Sequence, residues 1–256
     1  MRTQLKKIAF SAALVLAMAL TFGCSSDNGN EPGGTSSSAG GGGVVYGADV
    51  PYGDVTYKTV KIGSQTWFQR NLNYAVEGSK CGNGSILSDA NTATCDTYGR
   101  LYDWATAMAL PSKCNSTLST SDADCAITTL NHRGICPSGW HIPSGADWNV
   151  LMKVASPSCS DNSNCAGAGK KLKATSGWDS DGNGTDDFGF AALPGGYGTS
   201  GGGYFFNAGS DGGYWWSASE DDANRAYFRN MYYNYENVNW DYDYKSNLFG
   251  IRCVKD

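Results

Sequence analysis

Between Asp179 and Asp187 the chain reads Asp-Ser-Asp-Gly-Asn-Gly-Thr-Asp-Asp. Side-chain oxygens at Asp179, Asp181, Asn183, Thr185 and Asp187 recur at alternate positions, and Gly184 stands sixth, where a calcium loop turns sharply. Hard oxygen donors at this spacing point to Ca²⁺ as the cofactor. The position of the bidentate Glu is held by Phe190, so further ligands or water have to come from elsewhere. The same composition also makes a surface turn whose Asp and Asn side chains satisfy their own backbone. Both readings stand on the sequence.

A second constellation is aromatic. Tyr232, Tyr235, Trp240, Tyr242 and Tyr244 are interleaved with Asn and Asp. Exposed rings of this kind stack on sugar rings while neighbouring amides and carboxylates bond hydroxyls. Aromatics in short strands also serve as core and cross-strand pairs, which is the competing use. The stretch is the candidate ligand-binding face, for a glycan or a protein. Glu220, Asp221 and Asp222 form a carboxylate cluster. Glycoside hydrolysis needs a spaced pair of acids, whereas adjacent acids in a polar loop are solvated. His141, between Trp140 and Ile142, reads as a buried structural histidine. No catalytic residue is assigned, and no phosphate loop or nucleophile elbow occurs.

The ends of the chain bound where this chemistry takes place. Arg2, Lys6 and Lys7 precede an apolar stretch from Ile8 to Phe22 and then Gly23-Cys24. This is the pattern of a secretory signal over residues 1–23, too short for a spanning helix. Cleavage before Cys24 would leave that thiol for acylation, so the expected anchor is a lipid, with the protein facing the periplasm or the exterior of a bacterial cell envelope. Residues 24–45 are rich in Gly, Ser and Asn and read as a flexible tether holding the domain about 25 Å from its anchor. Of 19 basic residues three leave with the signal, so 16 face 24 acids and the net charge moves from −5 to −8. A partner in nucleic acid is excluded on that balance.

Setting Cys24 apart leaves eight cysteines, an even set that reads as a disulfide framework in an exported chain. Cys81 and Cys95, Cys114 and Cys125, and Cys159 and Cys165 each lie close together in polar loops, leaving Cys136 for Cys253. That last bridge closes the longest loop and is expected to stabilise most, by about 4–5 kcal/mol against about 3 for a loop of fifteen residues. A metal site is the weaker use of these thiols, since no C-x-x-C pair occurs and His132 and His141 are the only imidazoles.

The elements that have to position these groups follow from periodicity. Val55 to Ile62 and Gln65 to Phe68, joined by Gly63-Ser64, read as a hairpin. Leu101, Trp104, Ala105 and Met108 predict a helix over 98–110, stopped by Pro111. Ser144 and Asp147 form a capping box before Trp148, Leu151, Met152 and Ala155, which predicts a second helix. Beyond Lys170 the chain reads as turns, glycine and short aromatic strands. Two helices among turn-separated strands make an α+β domain over residues 46–256.

A series of segments carries a family resemblance. It runs Tyr57-Lys-Thr-Val-Lys-Ile-Gly-Ser-Gln-Thr-Trp67, Asn71-Leu-Asn-Tyr74, Tyr98-Gly-Arg-Leu-Tyr-Asp-Trp104 and Cys136-Pro-Ser-Gly-Trp-His-Ile-Pro-Ser144 with Trp148. Lys171-Leu-Lys173, Gly189-Phe-Ala-Ala-Leu-Pro-Gly-Gly196, Trp216-Ser217 and Ile251-Arg-Cys-Val254 complete it. In this order the segments resemble the Fibrobacter succinogenes major paralogous domain, from about Val55 to Asp256. That resemblance implies an exported, often lipid-anchored protein and no particular activity. More distantly, Trp140 to Trp148 and Gly250-Ile-Arg-Cys253 resemble the formylglycine-generating-enzyme-like branch of the C-type-lectin fold, which implies paired N- and C-terminal strands and long disulfide-stapled loops. The catalysis of that branch is not implied, because its late cysteine pair is missing: only Cys253 lies beyond Cys165. The expectation is a non-catalytic, lipid-anchored binding domain for polysaccharide or another envelope component. The alternatives are a glycan-active enzyme working through a carboxylate pair and a purely structural surface protein.

Overall fold

Buried Val60, opposite Trp67, and Ile62 alternate with exposed Lys61, the pattern of a strand buried on one face, and Gly63 supplies the turn that sends the chain back. The computed structural model describes residues 43–83, 86–88, 92–200, 205–206, 208–209 and 211–256. The chain divides into two units, Met1–Gly41 and Gly42–Asp256. The expected signal, Cys24 and the tether up to residue 42 lie outside the described residues.

The strands, in chain order, open with β1 (Val45–Tyr46), β2 (Val50–Tyr52), β3 (Val55–Tyr57), β4 (Thr59–Ile62) and β5 (Gln65–Phe68). Then come β6 (Cys81–Asn83), β7 (Ile86–Ser88), β8 (Trp140–His141), β9 (Tyr197–Gly198) and β10 (Phe205–Phe206). The C-terminal part holds β11 (Gly212–Glu220), β12 (Arg225–Tyr232), β13 (Asn239–Tyr244) and β14 (Val254–Lys255). The helices are α1 (Thr92–Tyr98), α2 (Trp104–Ala107), α3 (Gly145–Ala155) and α4 (Ala168–Leu172). The fold is thus mixed, with few and short helices and several antiparallel sheets.

A five-stranded sheet in the order β1-β4-β5-β14-β8 joins the two ends of the domain. Leu72 N–H donates to Ile251 O at 2.8 Å and Phe68 N–H to Cys253 O at 3.1 Å, so the C-terminal segment is zipped along β5. The Cys136–Cys253 disulfide, with Cα atoms 6.0 Å apart, fastens the other side of this segment beside β8. Cys81–Cys95, Cys114–Cys125 and Cys159–Cys165 are also bridged, as their spacing predicts.

The second sheet, β11-β12-β13, divides the interior. Tyr214, Trp216 and Phe228 enter one apolar cluster with Tyr102, Trp104 and Phe249. Trp215 and Met231, on the opposite face, enter the other with Trp67, Trp148 and Phe190. Two strand faces, both buried along β11, explain why Tyr214-Trp215-Trp216 is continuously aromatic rather than alternating.

The α3 helix forms as its capping box predicts. Ser144 Oγ accepts from Asp147 N–H, the Asp147 carboxylate accepts from Ser144 N–H, and Trp148, Leu151, Met152 and Ala155 are buried along one stripe. Elsewhere the helices differ from expectation. The predicted helix over 98–110 is reduced to α2, and the described residues hold four helices rather than two. Gly99 is left-handed (φ +80°) and lies against Asn71, and Tyr102 pairs with Phe249, so the chain arrives at Asp103 extended. Asp103 then caps α2, and left-handed Ala109 (φ 55°) ends it. The run from Val55 to Ile62 likewise breaks at Lys58, β3 pairing with β2 and β4 with β5.

Candidate functional site

β12 and β13 pair with Arg225 opposite Tyr244, Tyr227 opposite Tyr242 and Arg229 opposite Trp240. Cross-strand partners share a face, and the face alternates residue by residue. One face of the sheet therefore presents Arg225, Tyr227 and Arg229 beside Trp240, Tyr242 and Tyr244. Tyr242 is 45% exposed and Tyr244 61% exposed. Tyr227 stacks on Trp240 at 4.7 Å and 12° and meets Tyr242 edge-on at 6.1 Å. The guanidinium of Arg229 lies 4.4 Å from the Trp240 ring, and that of Arg225 4.4 Å from the Tyr242 ring. Trp240 is held from below as well: a Cβ on Gly145, at the start of α3, would stand 3.1 Å from its ring. The strip thus grades from an anchored Trp240 through Tyr242, held on one side by Arg225, to the more exposed Tyr244.

The carboxylates beside the strip are all bound by the protein itself. Arg225 reaches Asp221 at 3.0 Å and Asp222 at 2.7 Å. The Asn224 N–H, then Arg225, hold Asp222 below the usual carboxylate pKa. Tyr227 Oη donates to Asp221 at 2.9 Å, which raises the phenol pKa. Glu220 accepts from Lys245 Nζ at 2.5 Å and from Ser119 N–H and Oγ. Lys245 is fully buried and donates further to the carbonyls of Cys114, Thr117 and Ala223, tying the loop of the second disulfide to the foot of the sheet. The three acids at 220–222 act as loop fasteners.

β13 is the outer strand of its sheet, and its backbone is closed by side chains. Trp240 N–H donates to Asn164 Oδ1 at 2.8 Å, Tyr242 N–H to Asp241 Oδ1 at 2.9 Å and Tyr244 N–H to Asp243 Oδ1 at 2.7 Å. In an antiparallel pair every second residue turns its N–H outward, and here each of those three donors is taken.

The structure separates the five aromatic residues singled out by sequence. Trp240, Tyr242 and Tyr244 share the strip. Tyr232 falls on the other face, edge-on to Tyr214 at 5.8 Å, and Tyr235 packs edge-on against Tyr232 at 6.2 Å. Burial pushes the Tyr214 phenol pKa upward, with the Tyr232 hydroxyl adding to it. Arg225, Tyr227 and Arg229, absent from the sequence-based set, complete the strip. The period-two spacing of Arg225-Ala-Tyr-Phe-Arg229 puts the three on one face, and only the register with β13 brings that face to the strip.

The residues proposed as calcium ligands form a turn against α4 and the β12–β13 connection. Asp179 Oδ1 accepts from Ser180 N–H, Asn183 Oδ1 from Trp178 N–H, and Thr185 Oγ donates to Lys170 O. The Lys170 ammonium sits on Asn183 O at 3.1 Å. Asp181 and Asp187 are exposed. The glycines have a packing role: a Cβ on Gly182 would stand 2.5 Å from Tyr233 O, and one on Gly184 would strike the Lys173 carbonyl. Buried Lys173 donates to the carbonyls of Tyr232, Tyr233 and Tyr235, and desolvation lowers its pKa. Among the described residues, no group of three or more His, Cys, Asp or Glu side chains converges as a metal site.

His141 is buried between two carboxylates, Nδ1 2.7 Å from Asp256 Oδ1 and Nε2 3.3 Å from Asp147 Oδ2. Burial alone would lower its pKa, but the two carboxylates outweigh burial and raise it above 6.5. The same contacts, with Ser144, outweigh desolvation at Asp147 and hold that carboxyl below its usual value. The histidine therefore links β8, the cap of α3 and the residue after β14.

Four disulfides mark an extracellular or envelope protein. Among the described residues, no helix is long and apolar enough to cross a membrane. No curated protein and no solved structure matches the chain. The pieces that hold the strip in place are those of the family series: Tyr102 and Trp104 bond to β11, and Lys173 holds the β12–β13 turn. Residues 60–255 match the family model of the Fibrobacter succinogenes major domain, and the chain belongs to that family.

Proposed function

We propose that this is an exported, lipid-anchored protein of the bacterial cell envelope whose folded domain binds polysaccharide through the β12–β13 strip. The observation that carries this reading is the exposure of Tyr242 and Tyr244 on a rigid strand, in line with Trp240 and beside the Arg225 ion pairs with Asp221 and Asp222. Large aromatic rings left in water on a fixed strand mark an interaction surface, and a rigid platform loses little entropy on binding. Binding is favoured over hydrolysis because Glu220, Asp221 and Asp222 are each neutralised by Lys245 or Arg225, leaving no free acid pair at the strip. The pairing of β14 with β5 and β8 supports a C-type-lectin-like frame. Fold likeness adds weight to binding and names no ligand.

The test is a pull-down of the full chain on insoluble cellulose, hemicellulose and peptidoglycan beside an assay for released sugar. Retention without product is the expected result. Release of soluble sugar would establish an enzyme instead, and retention on none would leave the structural-protein alternative. Running both arms in calcium and in chelator tests the Asp179–Asp187 turn at the same time. Labelling with a fatty acid, lost in Cys24→Ser, tests the anchor.

A further inference from the structure

The edge and the charges of the strip narrow the kind of chain that lies along it. A sheet edge ordinarily recruits a peptide by backbone pairing. On β13 that route is disfavoured: the N–H groups of Trp240, Tyr242 and Tyr244 already donate to Asn164, Asp241 and Asp243. A strand added here would have to break three hydrogen bonds to gain the donors that regular pairing needs. Recognition at this surface is left to side chains.

Those side chains do not favour a polyanion. Arg225 carries two carboxylate partners, at 3.0 and 2.7 Å. Arg229 is buried beneath Trp240, donating to Ser163 O at 2.7 Å and Asn149 Oδ1 at 2.9 Å. Neither guanidinium is available to pair with uronate, sulfate or phosphate. Asp221 and Asp222, held by Arg225 beside the Tyr242 ring, are the charges a polyanion would meet. What remains is two water-exposed tyrosine rings, one backed by Arg225 and its carboxylates Asp221 and Asp222, a surface for the apolar ring faces and hydroxyl groups of an uncharged sugar.

We propose that the occupant of the strip is an uncharged polysaccharide, laid along β13 across Tyr242 and Tyr244. This rests on the polysaccharide-binding reading above and sharpens it to one chemical class. Hydroxyethylcellulose and carboxymethylcellulose share a backbone and differ in charge, so native electrophoresis of the full chain in gels containing each separates the two ideas. Retardation by hydroxyethylcellulose is expected, several-fold weaker by carboxymethylcellulose, and abolished by Tyr242→Ala/Tyr244→Ala in a variant that still melts cooperatively as a folded domain. Equal or stronger retardation by the carboxymethyl polymer, weakened by salt, would overturn the uncharged class while leaving polysaccharide binding intact. If neither polymer nor neutral galactomannan or xyloglucan retards the protein, the binding reading itself falls. Capture of an extended peptide by backbone pairing at β13, seen as amide protection of residues 240–244, would overturn the capped edge.

Discussion

The guanidinium of Arg225 lies over the ring of Tyr242, 4.4 Å from its centroid, while two carboxylates hold the same guanidinium from the β11–β12 turn. Each group limits the other. The ion pairs fix the cation, and the cation holds the ring against the sheet with one side engaged and the rest in water. A cation over an exposed ring stabilises by about 0.5–1 kcal/mol, enough to orient a side chain without anchoring the fold.

Trp240 should behave differently from its neighbours. Its ring meets Tyr227, Arg229 and the start of α3, so Trp240→Ala removes packing from three elements. A loss of about 2–3 kcal/mol is expected, less than the ~3–5 kcal/mol of a fully buried tryptophan because the ring is only partly buried. The urea midpoint measures it.

The edge caps make a separate prediction. Asp241→Ala/Asp243→Ala uncovers the N–H groups of Tyr242 and Tyr244 and removes two charges from an outer strand. Self-association should rise in the variant while the parent stays monomeric, as read by sedimentation velocity at matched concentrations. A monomeric variant would mean the caps do not guard the edge.

His141 gives a pH dependence whose sign follows from its raised pKa. A histidine that binds its proton more tightly when folded stabilises fully below its unfolded value of about 6.5 and loses that contribution as pH rises through the higher folded value. Asp147, held low, acts at the other end and loses its contribution as pH falls through its depressed value. Thermal melts of the parent and His141→Gln should therefore differ most in the mildly acidic range between these two values and converge toward pH 9. A gap that widens with rising pH would contradict the assignment.

The disulfides should rank by the loop each closes. Cys136 and Cys253 are separated by 117 positions, Cys159 and Cys165 by 6. Replacing the first pair with serine is expected to cost about 4–5 kcal/mol and the second about 2–3 kcal/mol by chain entropy. Urea unfolding of the two double variants measures the order.

Features set by neighbouring residues are legible in the amino-acid sequence. Cysteine spacing leads to the observed pairs because three of the loops are short, and Ser144 with Asp147 marks α3 because a capping box is complete within four residues. What local patterns leave hidden depends on contacts far apart in the chain. Arg225 and Tyr227 join the strip only through register with β13, and Tyr232 leaves it because strand faces alternate. The partner of Glu220 is Lys245, and the cap on Trp240 comes from Asn164, neither marked by any local pattern. The predicted helix over 98–110 shortens because Tyr102 pairs with Phe249, from the far end of the domain.

The most direct measurement is the affinity of the full chain for a soluble uncharged glycan, parent against Tyr242→Ala and Tyr244→Ala, with melting temperatures taken in parallel. Tyr244 is mostly exposed and Tyr242 gives up one cation–π contact, so each variant should fold within about 1 kcal/mol of the parent. Each should bind about tenfold more weakly, equivalent to about 1.4 kcal/mol. Parent-like affinity in the folded double variant would contradict the strip as the binding surface.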